Sequence, residues 1–205
     1  EFVFVIVHGG HEYYNLPSPR MQKQYRFYAE QGADIIVGHH THCINGNEIY
    51  KNTPIYYSLG NFLFTKSNSH DDWYSGLILE VNINKSKLTS KVHPVKQAKG
   101  DYKLSLASGP EKAKILNKIQ DFNEIILDED KLAQEWLSLV NSKYHQCINH
   151  WFILRLFKHK YFLTIFRKIG LTKLIRKVIA LTLNLIRCEA HVDISRSLLM
   201  KYLNK

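Results

Sequence analysis

The chain has 205 residues, 45% of them hydrophobic and 22% charged, a balance that excludes wholesale disorder and suits one ordinary domain with an appendage. Ten Gly and five Pro exclude collagen-like and low-complexity chains, and Cys43, Cys147 and Cys188, with no Cys-x-x-Cys pair, exclude a disulfide scaffold and weakly favour a reducing compartment or buried thiols. The net charge of +10 is concentrated: ten Lys and Arg and no acid lie between Trp136 and Cys188, which leaves eighteen bases against eighteen acids elsewhere, so a neutral part is joined to a basic part.

The apolar run Phe2–Val7 reads as a buried strand. Such a strand needs neighbours on both sides, and the expectation is that these residues come from the carboxy-terminal portion of a larger domain. Ser18-Pro19 supplies an N-cap and a first-turn proline. Met21, Tyr25, Tyr28 and Ala29 then follow helical spacing up to Gly32, a natural stop. Asp34–Val37 is a second short strand, so strand, helix and strand form a βαβ unit feeding a parallel sheet. Strands are expected at Glu48–Lys51 and Ile55–Ser58 around the turn residues Asn52-Thr53-Pro54, and a polar loop from Thr65 to Asp72. A hairpin pairs Leu77–Ile83 with Leu88–Val95. Helices are expected at about 111–122 and 128–146, then a basic helical stretch to about 204, interrupted at Gly170. The domain boundary is placed at Gly109-Pro110, giving residues 1–110 and a helical basic extension, 111–205.

Five of the eleven histidines fall within the first 42 residues: His8, His11, His39, His40 and His42. His8, His40 and His42 follow strand ends with glycine-bearing loops, where α/β sheets gather ligands and catalytic groups. In an extended segment residues i and i+2 face one way, with Cα atoms about 6.5–7 Å apart. His40 and His42 can thus converge on one site, with His39 turned away, and serve two metal ions held about 3.5–4 Å apart. Imidazole suits Zn and Fe, and carboxylates commonly join it. His11 is a secondary candidate. His70, His93, His145, His150, His159 and His191 are read as surface or helix-face residues. Three histidines do not complete a two-metal site, and the missing ligands are expected from an upstream segment.

The ordered motifs His8-Gly9-Gly10-His11-Glu12-Tyr13-Tyr14, Pro17, Gly32-Ala33-Asp34, Gly38-His39-His40-Thr41-His42 and Tyr57-Ser58-Leu59-Gly60-Asn61-Phe62 resemble bacterial capsule-synthesis proteins of the CapA (PGA_cap) type. The resemblance covers about residues 1–95. It implies a role in poly-γ-glutamate or capsular polysaccharide production. It also implies a partial metallophosphatase-like α/β/β/α sandwich, the carboxy-terminal half, followed by the basic tail. His8, His40 and His42 fall on the family's metal-ligand positions, with His8 and His40 as catalytic candidates and His11, Glu12 and Asn61 as pocket candidates. Gly9 stands where many members carry Trp. Two divalent metal ions (Zn, Mn or Fe) and hydrolase-type chemistry on an anionic polymer or phosphoester are implied for the intact domain, and inactivity for these residues alone. The alternative is a non-catalytic accessory associated with the membrane, or a truncated remnant.

In the tail, Leu171, Leu174, Ile175, Val178 and Ile179 form a helical stripe among Lys173, Arg176 and Lys177. Between Trp151 and Ile186 the longest charge-free run, Val178–Ile186, has nine residues, against about 20 needed to cross a bilayer. A basic amphipathic surface over 143–187 suits an anionic membrane, and no nucleic-acid motif accompanies it. The location expected is the bacterial cell envelope, peripheral or on the cytoplasmic face.

Overall fold

The computed structural model describes residues 1–64, 66–85 and 87–144, residues 168, 177, 179, 180, 183 and 184, and residues 187–203. Chain contacts group it into two compact units, Glu1–Gln134 and Glu135–Lys205.

The first unit is mixed α/β. Strands β1 (Phe4–His8), β2 (Ile35–His39), β3 (Asn47–Tyr50) and β4 (Thr53–Tyr56) make one sheet in the order β1-β2-β4-β3. β1–β2 and β2–β4 are parallel and β3–β4 antiparallel. Helix α1 (Pro19–Glu30) provides the crossover from β1 to β2, completing the expected βαβ unit. Its start follows from the sequence: Ser18 Oγ accepts from the Met21 amide at 3.2 Å and Pro19 opens the first turn. The β3–β4 turn is tighter than expected. Lys51 and Asn52 both take positive φ, 48° and 69°, as a two-residue hairpin turn of type I′ requires, so Thr53 and Pro54 join β4.

A second, antiparallel sheet holds β5 (Ser75–Asn84), β6 (Lys87–Gln97) and β7 (Leu104–Leu106). A 3₁₀ turn at Asp71–Tyr74 precedes it, at the end of the stretch expected to be loop.

Period-two alternation sorts the residues of β2 between two cores. Ile36, with Ile55 and Tyr57, packs on Met21 and Tyr25 of α1 and on Ile126. Ile35 and Val37, with Tyr56, pack on Leu79, Val81, Leu88 and Val92 of the second sheet. The layer order is therefore helix, sheet, sheet. Helix α2 (Gly109–Leu127) buries Ile115 and Ile119 beside Ile44 and Leu77. Because α2 belongs to these cores, the change to helices at Gly109 does not coincide with the division between units after Gln134.

Among the described residues β1 has a neighbour on one side only. β1 is hydrogen-bonded to β2 alone and exposes Phe4 (43%) and Ile6 (73%). Val5 and Val7 pack on the α1 core, while the alternate side chains meet no described layer. An apolar run shows hydrophobic character without showing which faces are covered.

The second unit starts within helix α3 (Glu129–Ser142) and includes α4 (Glu189–Leu203). Trp136 Nε1 donates to Ser197 Oγ at 3.1 Å, and Val140, Ile194 and Leu198 are buried. The interruption at Gly170 and the apolar stripe over 171–179 lie mostly outside the described residues. No helix among the described residues is long and apolar enough to cross a membrane.

Candidate metal centre

The parallel pairing of β1 and β2 sets His8 opposite His39 at the carboxyl ends of both strands. Beyond this pair the two loops are tied together: the Gly9 amide donates to the His39 carbonyl at 3.0 Å and the Tyr13 amide to the Thr41 carbonyl at 2.7 Å. Residues thirty positions apart in the chain thereby share one rim.

The rings of His8 and His40 have centroids 4.8 Å apart, and those of His40 and His42 are 5.9 Å apart. Glu12, His40 and His42 each offer a ligand atom, and these atoms lie within 4.8 Å of one another. Glu12 is exposed and the two histidines are half-buried. Two imidazoles and a carboxylate form a donor set that suits Zn, Mn or Fe. His11 is not one of these three donors: it is buried, edge-on to Tyr14 with ring centroids 6.5 Å apart.

The route to this convergence differs from an extended i, i+2 pair. His40 and His42 have φ of 105° and 58°, conformations uncommon for residues with a Cβ and concentrated at functional sites. Between them Thr41 turns fully inward, its Oγ1 2.8 Å from the Cys43 carbonyl oxygen and 2.8 Å from Ser58 Oγ. This buried anchor lets the flanking rings swing outward together.

Burial pushes the His40 imidazolium down from its ordinary range, and neighbouring His8 adds to the effect. His39 is lowered by the same two causes. Both favour the neutral ring, the form with a lone pair to give. Around His42 the walls are aromatic. Trp73 lies 4.9 Å away by ring centroid, and Phe64 meets it edge-on at 5.2 Å. Asn61 Oδ1 lies 2.9 Å from His42 Nδ1.

Residues 1–66 match the family model described as bacterial capsule synthesis protein PGA_cap. This segment is similar to the PGA_cap family. It is 48% identical over 64 residues to a capsule biosynthesis protein CapA of Bacillus anthracis, covering 31% of this chain and 16% of that protein. The PGA biosynthesis protein CapA of Bacillus subtilis is also 48% identical over 64 residues, 31% of this chain and 17% of its own length. An uncharacterised protein of Sinorhizobium fredii is 57% identical over 35 residues, 17% of this chain and 8% of that protein. The chain thus spans about a sixth of the length of the two CapA relatives it matches.

The matched segment contains His8, Glu12, His40, His42 and Asn61, but the site's wall extends past it. Tyr13 stacks on His70 with centroids 4.4 Å apart, and Trp73 completes the group. The polar loop expected over Thr65–Asp72 stops one residue short of Trp73, to which sequence reasoning assigns no role, and His70 reads there as a surface residue. The only hint was a Trp placed directly after two acids, where the polar stretch ends.

Proposed function

We propose that the PGA_cap segment carries part of a dinuclear, phosphoesterase-like metal centre in a protein of capsule polysaccharide or poly-γ-glutamate biosynthesis. The observation that carries this reading is the meeting of Glu12, His40 and His42, with His8 against His40, at the ends of two parallel strands. The helix–sheet–sheet order supports reading the fold as layers of an α/β/β/α sandwich.

Glu12, His40 and His42 would hold a divalent cation, with His8 beside them, and further ligands would come from elsewhere in a longer protein. Bound metal would supply Lewis acidity and acidify a water nucleophile. The chain's own residues do the rest. Trp73 and Phe64 shield one side of His42 from water. Exposed His8 at the rim can hold a proton for the leaving oxygen of a phosphoester or an anionic polymer. His40, kept neutral by burial, presents a lone pair without first losing a proton.

Metal analysis after zinc or manganese loading tests the reading. Wild type should retain metal, and His40→Ala and His42→Ala should each lose most of it. Equal retention by all three refutes it. A second reading, a non-catalytic accessory at an anionic membrane surface on the cytoplasmic side of the envelope, rests on the basic composition of 143–187. Binding to anionic but not neutral vesicles would support it, and equal recovery with both would refute it.

A further inference from the structure

We propose that Asn61 is a positioning residue that holds His42 in its Nδ1–H tautomer and leaves Nε2 as the open lone pair of the cation site. The purpose of this arrangement rests on the metal reading above, but its geometry does not.

Asn61 is 6% exposed. Its Nδ2 donates to the Trp73 backbone carbonyl at 3.0 Å. A carbonyl oxygen can only accept, so the amide cannot be flipped: nitrogen faces Trp73 and oxygen faces His42. Asn61 Oδ1, 2.9 Å from His42 Nδ1, is likewise only an acceptor. The proton between them must therefore sit on Nδ1. A neutral imidazole carries one N–H, so Nε2 is left unprotonated. An imidazole free in water favours the opposite tautomer, and Asn61 thus reverses an intrinsic preference.

Both ends of this device are fixed. Trp73 is 4% exposed, with its amide donating to the His70 carbonyl at 3.1 Å and its indole Nε1 to the Lys66 carbonyl at 3.1 Å. The Asn61 backbone is held against β5 at Gly76, where an added Cβ would lie 1.9 Å from the Asn61 carbonyl oxygen. Gly60 bridges to the same glycine. With Trp73 and Phe64 flanking it, the His42 ring has little freedom to trade nitrogens. Outer partners that fix a ligating histidine in this way commonly change metal affinity by 10–100-fold when removed.

The test uses the ¹⁵N-labelled 205-residue chain, metal-free at pH 8, in a long-range ¹H–¹⁵N correlation of the histidine rings. The His42 signals are identified by their loss in His42→Gln. The expected pattern is a protonated Nδ1 and an unprotonated Nε2. Asn61→Ala should shift the ring toward the Nε2–H pattern and weaken zinc binding about tenfold or more. Asn61→Asp keeps an acceptor facing Nδ1 while losing the donor to Trp73, so it should restore the Nδ1–H pattern. A Nε2–H pattern in wild type, or an unchanged pattern in Asn61→Ala, overturns the proposal. If Asn61→Ala does not fold, the wild-type spectrum decides alone. A wild type that shows the Nδ1–H pattern but binds no zinc supports the tautomer assignment and refutes the metal reading.

Discussion

Replacing Gly38 by Ala should disturb fold and site together. Gly38 lies in β2, directly before His39 and His40, and its carbonyl accepts from the Leu59 amide at 3.4 Å. An added Cβ would lie 2.2 Å from the Tyr57 carbonyl oxygen and 2.9 Å from the Tyr25 hydroxyl. Tyr25 can tilt slightly, but the Tyr57 oxygen belongs to backbone and cannot yield without moving the chain that follows β4. Overpacking of this kind costs about 1–3 kcal/mol, and a rigid backbone obstacle argues for the upper end. For a unit of this size that lowers Tm by about 10 °C. The same displacement would carry Ser58, and with it the Thr41 anchor between His40 and His42, so zinc binding should weaken in parallel. Gly9→Ala is the control. Its Cβ would meet only Val7 Cγ1, at 3.9 Å, and stability should change by less than about 0.5 kcal/mol. Thermal unfolding followed by circular dichroism, with zinc titration of both variants, checks both effects. Equal stability of Gly38→Ala and Gly9→Ala would refute the claim that close strand approach at Gly38 shapes the site.

Glu48 is 4% exposed, and its carboxylate takes two hydrogen bonds from Arg26, at 3.0 and 2.8 Å, plus one from the Tyr57 hydroxyl. Glu48→Ala leaves the Arg26 guanidinium with only exposed Glu129, at 3.4 Å, as a carboxylate partner and should cost about 3 kcal/mol in denaturant unfolding; Tyr57→Phe, which removes one donor, should cost about 1 kcal/mol. Asp128 Oδ1 accepts from the Lys131 amide at 3.0 Å at the start of α3, and that bond holds the carboxyl below its ordinary range. Asp128→Ala should lower Tm at pH 7. Because the folded-state pKa is depressed, the difference should persist down to the ordinary carboxylate range and vanish as pH falls through the folded value; a gap independent of pH would contradict this cap. Cys43 is 1% exposed, so alkylation by iodoacetamide at pH 8, followed by mass spectrometry, should be slow until the first unit unfolds. Rapid labelling of native protein would contradict its burial.

Local signals carried the βαβ unit. Ser18-Pro19 opened a helix, Gly32 closed it, and the flanking apolar runs became β1 and β2, because caps and apolar runs act over a few residues. They also placed His8, His40 and His42 at strand ends, since a strand's end is marked by its own sequence. Coverage of faces was not legible. Phe2–Val7 looks buried in one dimension, yet Ile6 is exposed, because burial depends on which layer lies opposite. Nor did the strand-end pattern show how His40 and His42 converge, by positive φ around an inward Thr41 and not by extended alternation.

The sequence by itself determined which groups this protein brings to its strand ends: imidazoles, a nearby carboxylate and glycines that let the chains approach. Only the tertiary structure decided their neighbours, setting Trp73 and Phe64 around His42, Asn61 on its Nδ1, and His11 in the interior. The reason is that chemistry belongs to a residue, whereas orientation belongs to its contacts. Those contacts arise when segments distant in the chain pack against one another.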